Sequence, residues 1–497
     1  MTRREAIALV AASACAQETP STMPDICLLT ASEMARRIRS KELSAREVLA
    51  AHLRQIDRVN PKVNAIVTLV ADRASETASR LDEDAARGSF RGPLHGLPIA
   101  HKDLVETKGI RTTFGSPIFK DNVPDHNALL VDRIQAAGAV TIGKTNTPEF
   151  GAGSQTFNPV FGATKNPWDL TKTCGGSSGG AAVSLACGML PIADGSDTGG
   201  SLRNPASFCS VVGFRTSPGR IPRVPSGDAW SNLSVVGPMA RTVQDVALLL
   251  SVMAGPDPRC PLSIHEPGSR FAHSLGRDTK GLRIAWCSKF AAIPFDRRVR
   301  DVFGSARKTL ESMGCITEEA DPDFSGADES FKILRALGYY QQYGALFAKH
   351  RAEMKATVIE EIERGASLTG PQIADAETKR SRLFARIGEL MTKYDFLALP
   401  VTQVPAFDIN QQYVTEIEGE KMAGYIDWMR SCYYITMTTL PAISVPAGFT
   451  ADGLPVGLQI VGRHHDEWSV LQLAHAFEHA SNLSRRFPPL ATEFATC

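Results

Sequence analysis

The feature that most constrains the fold of this chain is an alternation of short apolar runs with helical stretches, unbroken by any internal repeat or low-complexity linker. NAIVTLV, residues 64–70, reads as a strand, and the charged stretch from Ala71 to Arg87 reads as a helix ended by Gly88. LPIA (97–100) predicts a second strand, Ala128 to Ala137 a helix closed at Gly138, and AVTIG (139–143) a third strand. This is the βαβ rhythm of an α/β sheet. Ahead of it, residues 30–61 predict two helices. Ser44 and Glu47 stand at capping-box spacing, Leu49, Leu53 and Ile56 repeat at helical period, and Asn60-Pro61 is expected to stop the second helix. FLALPV (396–401) and AISVPAGF (442–449) return to strand character, and Asp452-Gly453 predicts a hairpin turn into LPVGLQIVG. Residues 256–390 are more charged and helical in pattern, carry no motif, and are expected to cover the core. One large α/β domain over residues 25–497 is the expectation.

Composition bounds the partner. With 43% hydrophobic and 22% charged residues the chain can bury a large core. Its 54 lysines and arginines against 53 acidic residues leave a net charge of +1, too little to gather nucleic acid or an anionic membrane. A small-molecule partner is expected, with no nucleic acid and no integral membrane segment; a homodimer is compatible with the sequence. The ten cysteines are spread singly from Cys15 to Cys497, without a C-x-x-C pair or a Cys/His cluster, so buried free thiols are expected rather than zinc or a disulfide framework.

Residues 1–24 do not read as fold. Arg3 and Arg4 precede AIALVAASACAQ, too short to span a bilayer but adequate as the apolar part of an export signal. Ala14 and Ala16 make an A-x-A cleavage site, Cys15 is an alternative lipid acceptor, and the paired arginines suit the twin-arginine route. A frayed apolar tail on a cytoplasmic protein is the other reading.

From Gly151 to Gly219 the chain becomes dense in glycine and serine, which lets backbone approach backbone or ligand closely. Three stretches stand out: AHKDL (100–104), CGGSSGG (174–180) and GSDTGGSLR (195–203). Alone, each glycine-serine loop is commonly a turn or a phosphate nest. A Walker loop needs lysine after its last glycine, and here Ala181 follows Gly180. Lys102 alone would read as an exposed lysine beside Asp103.

Together, and in this order, the three stretches resemble the amidase signature family, which carries a lysine in a K-D motif, then G-G-S-S-G-G, then G-T-D-x-G-G-S-[IL]-R. The likeness extends through GLPIAHKDL, GKTNTPEFGAGS, ASFCSVVGF and GLPVGLQIVG, from about residue 28 to 485. The resemblance implies a central mixed, twisted β-sheet covered by helices on both faces. It implies an amidase acting on linear amides, with Ser201 as nucleophile, Ser177 as a proton relay held by a cis peptide bond, and Lys102 as base; no cofactor and no metal are expected. A lysine takes a proton only when neutral, so burial in an apolar pocket must depress its titration. Backbone N–H groups of the run Thr198, Gly199, Gly200 are expected to hold the oxyanion. Asp197, Arg203 and Ser178 are expected to order the loop, the alternative being a local surface ion pair. Gly153, Ser154, Trp428 and Tyr433, the last two within an aromatic stretch from Gly424 to Thr439 that also holds Tyr434, are expected to line a pocket for an aryl or medium-length apolar group. Two departures, His101 before the lysine and FRTSPGR (214–220) in place of F-K-P-T-x-G-R, are expected to stand clear of the triad.

Two other readings use the same residues. Gly175-Gly176-Ser177-Ser178-Gly179 satisfies G-x-S-x-G, which would make Ser177 the nucleophile of an α/β-hydrolase esterase with a histidine among His464, His465 and His475. The same triad also serves a glutamine-hydrolysing subunit of a tRNA amidotransferase.

Overall fold

The computed structural model describes residues 26–492, so the segment read as an export signal lies outside the described residues. Its strands form two main sheets. A three-stranded sheet is built from β1 (Ile66–Leu69), β2 (Pro98–Lys102) and β3 (Val140–Thr145) in the order β1-β3-β2. An eight-stranded sheet takes β4 (Ile192–Asp197), β5 (Val212–Arg215), β6 (Val235–Ala240), β7 (Arg283–Trp286), β8 (Ile316–Glu319), β9 (Phe396–Pro400), β10 (Ala442–Phe449) and β11 (Pro455–Val461). Its order is β8-β7-β9-β11-β10-β5-β6-β4. Pairing is parallel for β2 with β3 and for β7 with β8 and β9, and antiparallel elsewhere in both sheets, as expected where crossovers and hairpins coexist.

Alternate residues of the central strands feed two different cores. Along β9, Phe396 and Ala398 belong to one cluster with the helices Val243–Met253 and Glu467–Ser481. Leu397 and Leu399 belong to another with Ala327–His350, Gly370–Lys393 and Arg430–Met437. Both faces of the sheet are thus covered, and that is why FLALP is a continuous apolar run instead of an alternating one.

Two readings are corrected. The helix Ala45–Val63 runs through Pro61 and ends at Asn64, whose left-handed backbone donates its N–H to the carbonyl of Asn60 at 2.7 Å. Proline costs little here because it lies in the last turn, and the Asn60 side chain instead accepts the N–H groups of Ala65 and Ile66 and so steers the chain into β1. Residues 256–390 supply covering helices, but they also supply β7 and β8 at the far edge of the sheet.

A third cluster seats the site. Ala100, Val140 and Ile142 from the small sheet pack with Ala181, Ala182 and Leu185 of the helix Gly179–Ala186 and with Leu202 and Ala206. The two sheets meet between β2 and β4: the Lys102 backbone N–H donates to Asp194 Oδ1 at 3.0 Å, so a carboxylate bridges where a ladder bond would otherwise be.

Candidate active site

Lys102 is the last residue of β2 and is fully buried. Its Nζ lies 2.8 Å from Ser177 Oγ, 2.9 Å from Ser178 Oγ and 3.0 Å from Ser196 Oγ. The amine therefore sees hydroxyls at hydrogen-bonding distance and carboxylates only farther off. Burial pushes it down from the ordinary lysine value to about 7, against the opposing pull of Asp197 and Asp194.

Ser177 follows a cis peptide bond from Gly176. Ser178 N–H donates to the carbonyl of Ser201 at 3.2 Å, which joins the two serine loops. Ser201 is 8% exposed against 2% for Ser177, and its hydroxyl makes no hydrogen bond to another described residue.

The loop carrying Ser201 is anchored from within. Asp197 Oδ1 accepts the N–H of Gly200 at 2.9 Å and Oδ2 that of Leu202 at 3.1 Å. Arg203 grips the same carboxylate from Nε (3.0 Å) and Nη2 (2.9 Å), both side chains being fully buried. Its remaining N–H groups go to Gln459 Oε1, the Cys432 carbonyl and Thr436 Oγ1. Burial works against the Asp197 charge, yet Arg203 and Arg215 hold the carboxyl well below the usual range. Because Asp197 takes the Gly200 N–H, the backbone donors left in this loop are those of Thr198, Gly199 and Ser201, which have no partner among the described residues.

Both departures from the motif reach this frame. Arg215 of FRTSPGR donates to the carbonyl of Asp197 at 2.5 Å. The buried His101 ring sits with Nδ1 2.5 Å from Asp194 Oδ2 and Nε2 3.2 Å from Thr141 Oγ1. His101 faces away from Lys102 Nζ, as strand alternation requires, and touches it only through the shared Asp194.

A family model described as Amidase matches residues 47–471. The chain belongs to the Amidase family. It is 38% identical over 453 residues to an acylamidase of Rhodococcus erythropolis, covering 90% of this chain and 95% of that one. It is 37% identical over 495 residues to a glutamyl-tRNA(Gln) amidotransferase subunit of Carboxydothermus hydrogenoformans, covering 94% and 100%. A solved bacterial aryl acylamidase of the amidase signature family matches with a TM-score of 0.88 at 27% identity, over 94% of this chain and 99% of that one. The fold expected from the sequence, a mixed sheet flanked by helices, is that of these amidase signature hydrolases.

This amidase has a cleft lined by Gly153, Ser154, Phe157, Lys355, Tyr425 and Trp428, among others; Lys102, Ser177 and Ser201 are not part of its lining. Ser154 Oγ donates to the carbonyl of Gly176 at 2.7 Å and accepts from Asn204 Nδ2 at 2.8 Å, which ties the cleft wall to the cis peptide. Trp428 is 1% exposed, its ring stacked on Phe208, so it adds little open surface to the wall. Tyr433 does not line this cleft: it stacks on Phe331 at 4.4 Å, and its hydroxyl donates to Asp328. The helix Arg430–Met437 turns that face into the core, where an aromatic ring gains more by burial than at a cleft edge.

The histidines of the esterase reading lie elsewhere. His464 stacks on His465, and His475 pairs with His479; none hydrogen-bonds to Ser177, whose partner is Lys102. Among the described residues no helix is long and apolar enough to cross a membrane. Sequence reasoning missed Ser196, Asp194 and Lys355. Ser196 was findable, since it lies inside the GSDTGGSLR stretch, two residues after Asp194 on the same strand face. Lys355 had no local signal.

Proposed function

We propose that this amidase hydrolyses linear carboxamides, and as side substrates esters and carbamates, with Ser201 attacking, Ser177 relaying the proton and Lys102 receiving it. In acylation the Ser201 proton passes to Ser177 Oγ as the Ser177 proton passes to neutral Lys102, and Ser201 Oγ bonds the carbonyl carbon. The oxyanion takes hydrogen bonds from the free N–H groups of the 198–201 turn. Collapse breaks the C–N bond, the proton returns through Ser177 to the leaving nitrogen, and water then attacks the acyl-Ser201 ester by the same path. The aromatic wall of the cleft favours an aryl or medium-length apolar group.

The observation that carries this reading is the fully buried Lys102 amine, held among the hydroxyls of Ser177, Ser178 and Ser196, where burial pushes it down to about 7. A neutral amine can accept a proton where an exposed lysine could not. The test is intact-mass and peptide analysis after reaction with a fluorophosphonate, beside a panel of linear aliphatic, linear aryl and cyclic amides. Label on Ser201 with turnover of linear amides is expected; label on Ser177, or turnover of cyclic amides alone, overturns it.

The 37% identity to an amidotransferase subunit favours a second reading, ammonia release from glutamine within a complex. We propose instead a chain that works alone or as a homodimer. Copurification of a second kind of subunit, with glutamine as the sole substrate turned over, would reverse the order.

A further inference from the structure

The cleft holds a cation that acyl transfer does not use. Lys355 precedes the helix Ala356–Ala366, and its backbone N–H donates to Glu149 Oε2 at 2.7 Å, which fixes its Cα beside the cleft. Its Nζ donates to the Ala152 carbonyl at 3.3 Å and stands 4.4 Å from the centroid of the Phe157 ring. No carboxylate of the described residues pairs with it. The nearby acids are engaged elsewhere: Glu149 also takes the Ser116 hydroxyl, and Glu361 takes Arg335 and the Tyr425 hydroxyl. Burial pushes the amine down to about 8, opposed by Glu149 and abetted by Arg335.

A second observation is independent of the first. Thr357 Oγ1, in the lining of the same cleft, is buried without a hydrogen-bond partner. Buried polar groups are rarely left unpaired, and an ammonium has three N–H groups to donate, of which the Ala152 carbonyl takes one. That site is close to the chemistry. Ala152 follows Gly151, where a Cβ would come 3.5 Å from Ser177 Oγ.

We infer that Lys355 is a specificity-determining site for a carboxylate carried by the substrate several bonds from the scissile amide, on its acyl or its amine side. A neutral carbonyl oxygen has two lone pairs and could accept from the ammonium as well, but only a carboxylate also neutralises the cation. The choice of cleaved bond rests on the function proposed above, whereas carboxylate binding does not.

The test therefore reads binding first. The Ser201→Ala protein is titrated calorimetrically with glutaranilic acid (carboxylate on the acyl side), with N-hexanoyl-4-aminobenzoic acid (carboxylate on the amine side), and with the methyl ester of each. The titrations are repeated with Lys355→Met, Lys355→Gln and Lys355→Arg added, each checked for native circular dichroism. One acid should bind at least about tenfold more tightly than its ester, the size expected of a charge-assisted contact. That ratio should collapse in the Met and Gln forms and return in part with Arg. Acid and ester binding alike, or a ratio that survives Lys355→Met and Lys355→Gln, would overturn the inference. Hydrolysis of the same compounds by the protein with Ser201 intact separates the two claims. Acid preference without release of the amine supports the site and removes the amide reading; brisk release without preference does the reverse.

Discussion

The carboxylate of Asp194 accepts the backbone N–H of Lys102 at 3.0 Å, so the strand that leads into the Ser201 loop also holds the residue that carries the buried amine. The same carboxylate raises the proton affinity of that amine. Asp194→Asn keeps an acceptor for the N–H while removing the negative charge. The rising limb of kcat/KM against pH should then move to lower pH. A limb that stays in place or moves up would show that Asp194 does not act on Lys102 through charge.

In the unaltered protein the base must be neutral to work, so kcat/KM toward an anilide should rise with pH and level off, with its midpoint at about 7. Lys102→Ala should lower kcat by roughly 10²- to 10⁴-fold and abolish that limb. A mutant that stays active with the limb intact would assign it to another group.

The same titration appears in stability. The unfolded amine titrates at 10.5 and the folded one at about 7, so between those values the unfolded chain binds a proton that the folded chain has lost. Stability should therefore rise with pH across that window, and the cost of the buried ammonium is greatest below it. Lys102→Met should stabilise the fold by roughly 1–3 kcal/mol at about pH 6, with the gain fading toward about pH 10. Urea midpoints at the two pH values read this directly, and a gain that grows with pH contradicts it.

Arg203 shows the opposite balance. It is the largest opposing charge to a fully buried carboxylate, and its N–H groups also knit the loop to residues 432, 436 and 459. Arg203→Met leaves the Asp197 carboxylate to Arg215, which approaches it only to 3.4 Å, and should cost about 3–5 kcal/mol, measured by urea denaturation at neutral pH. A loss under about 1 kcal/mol would mean that the pair behaves like an exposed one.

Legibility followed burial and locality. FLALP and AISVPAGF were visible because burial on both faces makes an unbroken apolar run, and Asp452-Gly453 because a turn with Gly453 at φ 83° favours glycine. β8 was not, because ITEE is a short, partly exposed edge strand whose side chains need no apolar character. At the site, the serines and Lys102 were legible as motif. Arg215 touches none of the three triad side chains, yet it grips the Asp197 carbonyl, since the antiparallel pairing of β5 and β4 through β6 brings distant segments side by side. Lys355 was illegible because its place depends on a helix docking against residues some two hundred positions earlier.

Gly180 explains the second glycine pair of the motif by packing. A Cβ there would lie 2.3 Å from the backbone nitrogen of Asn146 and 2.6 Å from the carbonyl oxygen of Ala65. Neither neighbour is a side chain that can swing aside, so the helix Gly179–Ala186 would have to lift away and carry Ser177 and Ser178 with it. Gly180→Ala should cost about 1–3 kcal/mol despite alanine's better helix propensity, and should lower kcat. Gly388→Ala is the matched control, in the exposed face of the helix Gly370–Lys393 with nothing near its Cβ position, and should stabilise by up to about 1 kcal/mol. Urea midpoints of the two variants should move in opposite directions. If both rise, the close approach of the serine loop to β3 is not what demands glycine.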